Sequence, residues 1–413
     1  MNSTLPTSIT QSVFLKRFTI GVISFLTLVD LFAAQAILPS LAAAYHVGPS
    51  AIALAVNACT FGMAAAGVAV ALLSHRIDHR RGIIASLTLL AIPTLLLALQ
   101  PSLPVFAALR VAQGVFMSSA FTLTMAYLGE RSCPNMLGGA LAAYVTGNVA
   151  SNLVGRLMSS ALVDHFGLTA NFLVLAGLNL FGALLVFAAL EKAGAMMAPP
   201  AASDGMERSG AWLEHLKNPA LLALFGMGFL ILFAFIGAFS YVNFVLVRAP
   251  LSLNQMSIGF VYFVFVPSLL FTPLAGRFAT RVGPVLALRI AFGLAIAALP
   301  LLLTPYLGGV LLGLALFAVG TFGAQAIATG LVGRLASTNR GAASGLYLAS
   351  YYLGGLAGTA ILGRIFDTWG WPATVGTLCG SLAVALLLSA RLTPAMRAVP
   401  AAMPSPRAGV SAS

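Results

Sequence analysis

The sequence predicts an all-α integral membrane protein with twelve transmembrane helices in two pseudo-symmetric six-helix bundles. Three observations carry that expectation. The 413 residues are 60% hydrophobic and 7% charged, with a mean hydropathy of +1.00, whereas soluble chains average about 25% charged residues. The apolar residues gather into twelve runs, each near the roughly 20 residues that one bilayer crossing requires. Polar and glycine positions of the first six runs recur in the second six at a constant spacing.

In chain order the runs lie at about 18–38, 51–73, 83–99, 104–128, 138–163, 170–190, 220–247, 256–276, 284–303, 305–328, 342–363 and 371–390. Lys16-Arg17 precedes the first run without a small-residue cleavage signature, so that run is expected to stay as a span and not to leave as a signal peptide. The separators carry helix-end punctuation: Pro39, Pro49, Pro101, Pro104, Gly283-Pro284, Pro305 and Pro372. Only 191–219, with Pro199-Pro200 and Ser203-Asp204-Gly205, is long. The expected organisation is a tail at 1–17, a first bundle at 18–190, a linker at 191–219, a second bundle at 220–391 and a tail at 392–413.

A formal charge of +12 and a pI near 10.3 would point to nucleic acid in a soluble chain. Here the position of the charge matters more. Sixteen of the 21 Lys and Arg lie beside even-numbered turns or the termini, and only Arg248 and Arg364 lie at the opposite face. The positive-inside rule then puts both termini and the linker in the cytoplasm and leaves no nucleic-acid surface.

The repeat joins run 5 to run 11. Tyr144, Gly155, Asp164 and Gly167 match Tyr347, Gly358, Asp367 and Gly370, always 203 residues apart. A duplicated half is a construction from which secondary transporters build a site near the bilayer midplane.

Three motifs resemble the major facilitator superfamily, over about residues 15–392. The family's Gly-x-x-x-Asp-Arg-x-Gly-Arg-Arg loop is similar to 71–80, with His75 at the Asp position, and to Gly276–Gly283, with Thr280 there. Arg110-Val111-Ala112-Gln113-Gly114 is similar to the Arg-x-x-Gln-Gly signature of proton-coupled members. Gly147-Asn148, Gly155-Arg156, Ser350-Tyr351-Tyr352 and Gln35-Ala36-Ile37-Leu38-Pro39 resemble a bacterial branch of efflux permeases. The resemblance implies the major facilitator fold in a bacterial-type inner membrane. It also implies a secondary transporter that exports a small organic molecule or drug in exchange for protons by alternating access. The same cycle run inward, as an importer or facilitator of a metabolite such as an organic anion, is the alternative. In the loops it implies conformational-switch residues Arg76, Arg80, Glu130, Gly276, Arg281 and Gly283, with Arg76 bridging to Glu130.

Ionisable groups inside hydrocarbon cost about 2.5 to 3.5 kcal/mol on insertion scales, so each is a functional candidate. Asp30 lies about twelve residues into the first run, roughly 18 Å deep at 1.5 Å per residue, and is the only acid so placed. Desolvation favours its protonated form and a nearby guanidinium its carboxylate, which is the behaviour of a proton carrier; a permanently paired structural acid is the alternative. Arg110 stays charged and is expected to tune Asp30, to hold carbonyls and Gln113 in a network, or simply to snorkel. Arg156 has two candidate partners, an anionic substrate or Asp164. Cavity candidates are Gln35, Asn57, Gln113, Asn148, Asn152, Arg156, Tyr241, Asn243, Gln325 and Tyr351. Gly114, Gly147, Gly155, Gly354, Gly355 and Gly358 suit close helix approach, either at a rocking interface between halves or in static packing.

Cys59, Cys133 and Cys379 are scattered and read as packing residues, and the five histidines are too dispersed for a metal site. No phosphate-binding loop is present and the chain has three lysines, which excludes a built-in ATP motor. A membrane sensor or enzyme would need an output domain or a catalytic cluster. No cofactor is implied; the expected partners are a small-molecule substrate, protons and lipid, with the chain acting as a monomer.

Overall fold

The computed structural model describes residues 7–73, 77–131, 140, 143–144, 146–190, 214–336 and 340–393. Helix is the only regular structure among them. The α-helices are α1 (Thr7–Ala36), α2 (Leu38–Tyr45), α3 (Pro49–Asn57), α4 (Cys59–Leu73), α5 (His79–Leu97), α6 (Leu103–Arg131), α7 (Arg156–Ala189), α8 (Pro219–Leu246), α9 (Gln255–Val261), α10 (Val266–Val282), α11 (Pro284–Ala298), α12 (Leu307–Leu335) and α13 (Arg340–Leu388). A π-helical turn at Ser151–Gly155 leads into α7, and a 3-10 turn at Tyr262–Phe265 joins α9 to α10.

Local chemistry sets the helix ends. Pro49, Pro219 and Pro284 open α3, α8 and α11, where a missing N–H costs nothing. The side chains of Asp78, Asn218 and Asn254 accept from the first-turn N–H groups of α5, α8 and α9. The helix α1 starts at Thr7, ahead of the apolar run expected from residue 18.

Ten helices among the described residues are long and apolar enough to cross a membrane. Two of them are too long for a single crossing. Thr146–Ala189 has 44 residues and Gly341–Arg391 has 51, or about 66 and 76 Å at 1.5 Å per residue, against a hydrocarbon core of about 30 Å. Each is broken at a glycine, Gly167 (φ 80°, ψ 178°) and Gly370 (φ 75°, ψ −172°), in a backbone region that is essentially open to glycine alone. Each therefore makes two crossings, and the total is the expected twelve. The two breaks are 203 residues apart, the spacing of the sequence repeat.

The outer surface is apolar, and the polar and charged side chains are enclosed within an otherwise apolar interior. Leu89, Ile92 and Leu96 of α5, Leu180, Leu184 and Phe187 of α7, and Leu270, Phe271 and Leu274 of α10 are exposed, while Asp30, Gln35, Asn57, Arg110, Gln113 and Arg156 are fully buried. Lipid solvates the first set; the second must be satisfied by the protein itself.

The six glycines singled out in the sequence pack helices within a half. A Cβ on Gly147 would overlap the Gly21 carbonyl of α1, and one on Gly114 the Cys59 carbonyl of α4. In the second half, Cβ atoms on Gly354 and Gly358 would overlap the Phe229 and Phe233 carbonyls of α8. Gly155 and Gly355 likewise face Val29 of α1 and Leu232 of α8. The expected alternative of a rocking interface between halves is thus corrected: these six positions serve contacts inside each bundle.

The halves meet where α13 packs on α3 and α4 and where α9 packs on α7. There Gln255 Nε2 donates to the Ala36 carbonyl (3.0 Å) and Ser160 Oγ (3.3 Å), and Ser40 Oγ donates to Gln255 Oε1 (3.0 Å).

Candidate functional site

Two buried polar networks share α1. The first surrounds Asp30. Its Oδ1 accepts from Gln113 Nε2 (3.1 Å) and lies 3.1 Å from Thr94 Oγ, whose single proton is shared with the Leu90 carbonyl at 2.8 Å. Gln113 and Asn179 also donate to Thr94 Oγ, at 2.6 and 3.2 Å. Asp30 Oδ2 is buried without a partner among the described residues.

Arg110 closes this network from one side. It stands three residues before Gln113, a spacing that puts both on one face of α6. Its Nη1 donates to Gln113 Oε1 (2.7 Å) and to the Asp30 backbone carbonyl (3.2 Å), its Nε to the Val56 carbonyl (2.8 Å), and its Nη2 to Cys59 Sγ (3.2 Å). The guanidinium holds carbonyls and Gln113, one of the expected roles, and reaches Asp30 through the backbone and Gln113; it is fully buried and does not snorkel. Cys59, expected only to pack, is an acceptor in this network.

The second network is centred on Arg156, at the junction of the halves. The π turn before α7 adds a residue to the helical repeat and directs Arg156 inward. Its Nη2 donates to Gln35 Oε1, while Nε and Nη1 are buried without a partner among the described residues. The guanidinium lies 4.7 Å from the Tyr262 ring centre, 5.5 Å from those of Phe239 and Phe265, and 5.6 Å from that of Phe32, all within cation–π range. Gln35 Nε2 donates to Asn57 Oδ1 (2.7 Å), and Asn57 Nδ2 to Ser240 Oγ (3.1 Å) of the other half. Asn243 Nδ2 donates to the Gln35 carbonyl (2.9 Å), and Tyr262 OH to Asn243 Oδ1 (2.8 Å). The expected alternative partner, Asp164, is exposed and does not pair with Arg156.

Other candidates fall outside both networks. Asn148 and Asn152 precede Arg156 in the chain, each with a buried Oδ1 unpartnered among the described residues. Tyr241, expected in the cavity, instead donates to the Thr359 carbonyl (2.6 Å) and stacks on Phe366, fastening α8 to α13. Gln325 accepts from Tyr347 OH (2.7 Å), and the Tyr347, Tyr351 and Tyr352 rings pack in a row. Gln325 and Tyr351 thus belong to a tyrosine row of the second half and make no hydrogen bond to either network among the described residues.

Among the loop residues, Arg80 donates to the Leu190 (2.8 Å) and Phe187 carbonyls and covers the Phe187 ring at 5.0 Å. It caps the end of α7 in its own half. Arg281 is exposed in the last turn of α10, and Gly283 ends that helix with φ 89°. Gly276 faces open space. Thr280, at the family's acid position, spends its hydroxyl on the Arg277 carbonyl (2.8 Å). Arg76 and the Glu130 side chain lie outside the described residues.

Sequence reasoning missed Thr94, Asn179, Ser240 and Tyr262. Each is a polar residue inside an apolar run, the same signal that marked Gln35 and Asn57.

Twelve crossings in two matched halves around a buried polar junction define a multi-pass membrane transport protein. The profile of the Major Facilitator Superfamily matches residues 20–266. The uncharacterized MFS-type transporter YybF of Bacillus subtilis is 30% identical over 370 residues, 89% of this chain and 91% of that protein. The drug efflux pump JefA of Mycobacterium tuberculosis is 32% identical over 166 residues, 38% of this chain and 32% of that protein. The fold is similar to that of a bacterial homologue of the human lysosomal transporter Spinster in an inward-facing, occupied conformation (TM-score 0.71, 15% identity, 96% of this chain and 98% of that chain). The chain belongs to the Major Facilitator Superfamily, and it is a transporter and not an enzyme.

Proposed function

We propose that this chain exports a small organic molecule across a bacterial-type inner membrane in exchange for protons, with both termini in the cytoplasm and Asp30 as the proton-carrying group. The observation that carries this reading is the Asp30 carboxyl, fully buried with Oδ2 unpartnered among the described residues and Oδ1 held by neutral donors. Oδ2 is the atom open to a proton. Arg110 is one side chain away, held by Gln113 and the Asp30 carbonyl. A change of state that swings its guanidinium onto the carboxylate favours the charged form and expels the proton. The bonds from Gln255 and Asn57 across the halves are the contacts that must break for the opposite face to open. JefA's name as an efflux pump supports the export direction.

Infrared difference spectroscopy on the purified protein tests the assignment without knowledge of the substrate. A carboxylic-acid C=O band that titrates with pH in the wild type is expected to vanish in Asp30→Asn, with folding intact. In proteoliposomes the same variant should lose transport driven by a pH gradient while retaining exchange without one. An unchanged titrating band, or transport by Asp30→Asn that is still fully proton-driven, overturns the reading.

A further inference from the structure

We infer that the substrate is an organic anion, a single carboxylate carried on a flat apolar ring, and that Arg156 is its binding residue. The inference rests on the transporter reading above and adds a substrate class to it. Among the described residues, the carboxylates and guanidiniums with no exposure at all are Asp30, Arg110 and Arg156. One acid against two arginines leaves positive charge over, and a buried charge calls for a partner. The open donors are those of Arg156, because every nitrogen of Arg110 is already bonded to a neutral acceptor. Arg156 has one bond, to Gln35, and two buried nitrogens with none among the described residues.

The surroundings specify the rest of the ligand. Phe32, Phe239, Tyr262 and Phe265 present ring faces around the guanidinium, three of them from the second half. An amphiphile with one carboxylate and one flat ring meets both chemistries, whereas an organic cation would bring like charge against Arg156. A carboxylate that takes the place of Gln35 Oε1 at Nη2 completes a two-bond fork with Nε or Nη1. Gln35 is then released, and with it the chain through Asn57 to Ser240 that fastens one half to the other. Binding of the anion thus loosens the junction that must open.

The test uses the full-length protein in detergent and three isosteric probes: 1-naphthoate, 1-naphthamide and 1-naphthylmethylammonium. Only naphthoate is expected to raise the melting temperature in a saturable way. Arg156→Gln should weaken naphthoate by roughly thirtyfold or more, the loss expected when one member of a buried charge pair is truncated, and Arg156→Lys should restore part of it. Absence of a naphthoate shift, an equal shift with the amide or the cation, or unchanged naphthoate affinity in Arg156→Gln overturns the inference. If Arg156→Gln does not fold, the three-probe comparison in the wild type still decides. Failure of the proton reading is separable: naphthoate binding that depends on Arg156, beside a carboxyl band indifferent to Asp30→Asn, removes proton coupling and leaves the substrate class standing.

Discussion

The two halves share a skeleton and differ in chemistry. Tyr144 and Tyr347, Gly155 and Gly358, and Gly167 and Gly370 hold matching places 203 residues apart. At that same spacing Arg156 corresponds to Thr359, whose hydroxyl is used on the Gly355 carbonyl of its own helix. Among the described residues, the three carboxylates and guanidiniums with no exposure all belong to the first half. The second carries an aromatic cluster instead: Phe239 lies 4.8 Å from Phe235, 4.7 Å from Phe265 and 6.1 Å from Phe317, ring centre to ring centre. A duplicated fold has thus divided its labour, with ionisable groups on one side of the junction and apolar surface on the other.

The comparison is broken most severely at Arg110. Arg110→Met leaves a buried Asp30 without its nearby cation and strips partners from Gln113 and the Val56 carbonyl. Removing one member of a buried charged network typically costs about 3–5 kcal/mol. In the second half the Tyr347–Gln325 pair is neutral, and Tyr347→Phe removes only the hydroxyl bonded to Gln325, at about 0.6–1.5 kcal/mol. Melting temperatures in detergent should fall much further for Arg110→Met than for Tyr347→Phe. Equal losses would mean that the charge carries no special weight.

The shared skeleton predicts equality where the chemistry predicts difference. Gly167 and Gly370 turn the chain at positive φ, and no neighbour among the described residues lies within 3.4 Å of a Cβ built on either. Alanine at each therefore meets backbone strain alone, about 1–3 kcal/mol. Gly167→Ala and Gly370→Ala should lower stability by similar amounts, read from the same melting curves. A large difference between them would show that the two breaks are not equivalent.

How far the sequence reached follows the same division. The twelve crossings were legible because hydropathy and helix-end residues leave marks in single positions, whereas Gly167 and Gly370 were legible only as matched positions of the repeat and not as breaks. Asp30, Arg110 and Gln113 were legible because a charge in an apolar run has few explanations and i, i+3 spacing sets a face. Tyr241 and Asn243 show where that logic stops: both are polar residues of α8, two positions apart, yet only Asn243 enters the network around Arg156. The ring cage around Arg156 was illegible for a related reason. Phe239 and Phe265 are buried while Phe181 and Phe271 face outward, and in a membrane both environments favour phenylalanine equally. Burial in such a chain is decided by which helix lies opposite, and that is information between spans.

Arg80 yields the smallest expected effect and sharpens where conformational control resides. The resemblance assigns it to a switch loop, but its nitrogens cap the Leu190 and Phe187 carbonyls at the end of α7, within the first half. A cation at a helix C-terminus contributes about 0.3–1 kcal/mol, and up to about 2 kcal/mol where partly buried. Arg80→Gln keeps a donor for one carbonyl and removes the charge, so the melting temperature should drop slightly. Because both partners move with the same bundle, the inward-to-outward balance should not change, as read from the spacing of spin labels placed at opposite ends of the junction. A shifted distance distribution with little change in stability would return Arg80 to the switch. An unchanged distribution leaves the cross-half bonds of Gln35, Asn57, Asn243 and Gln255 as the contacts that set the balance.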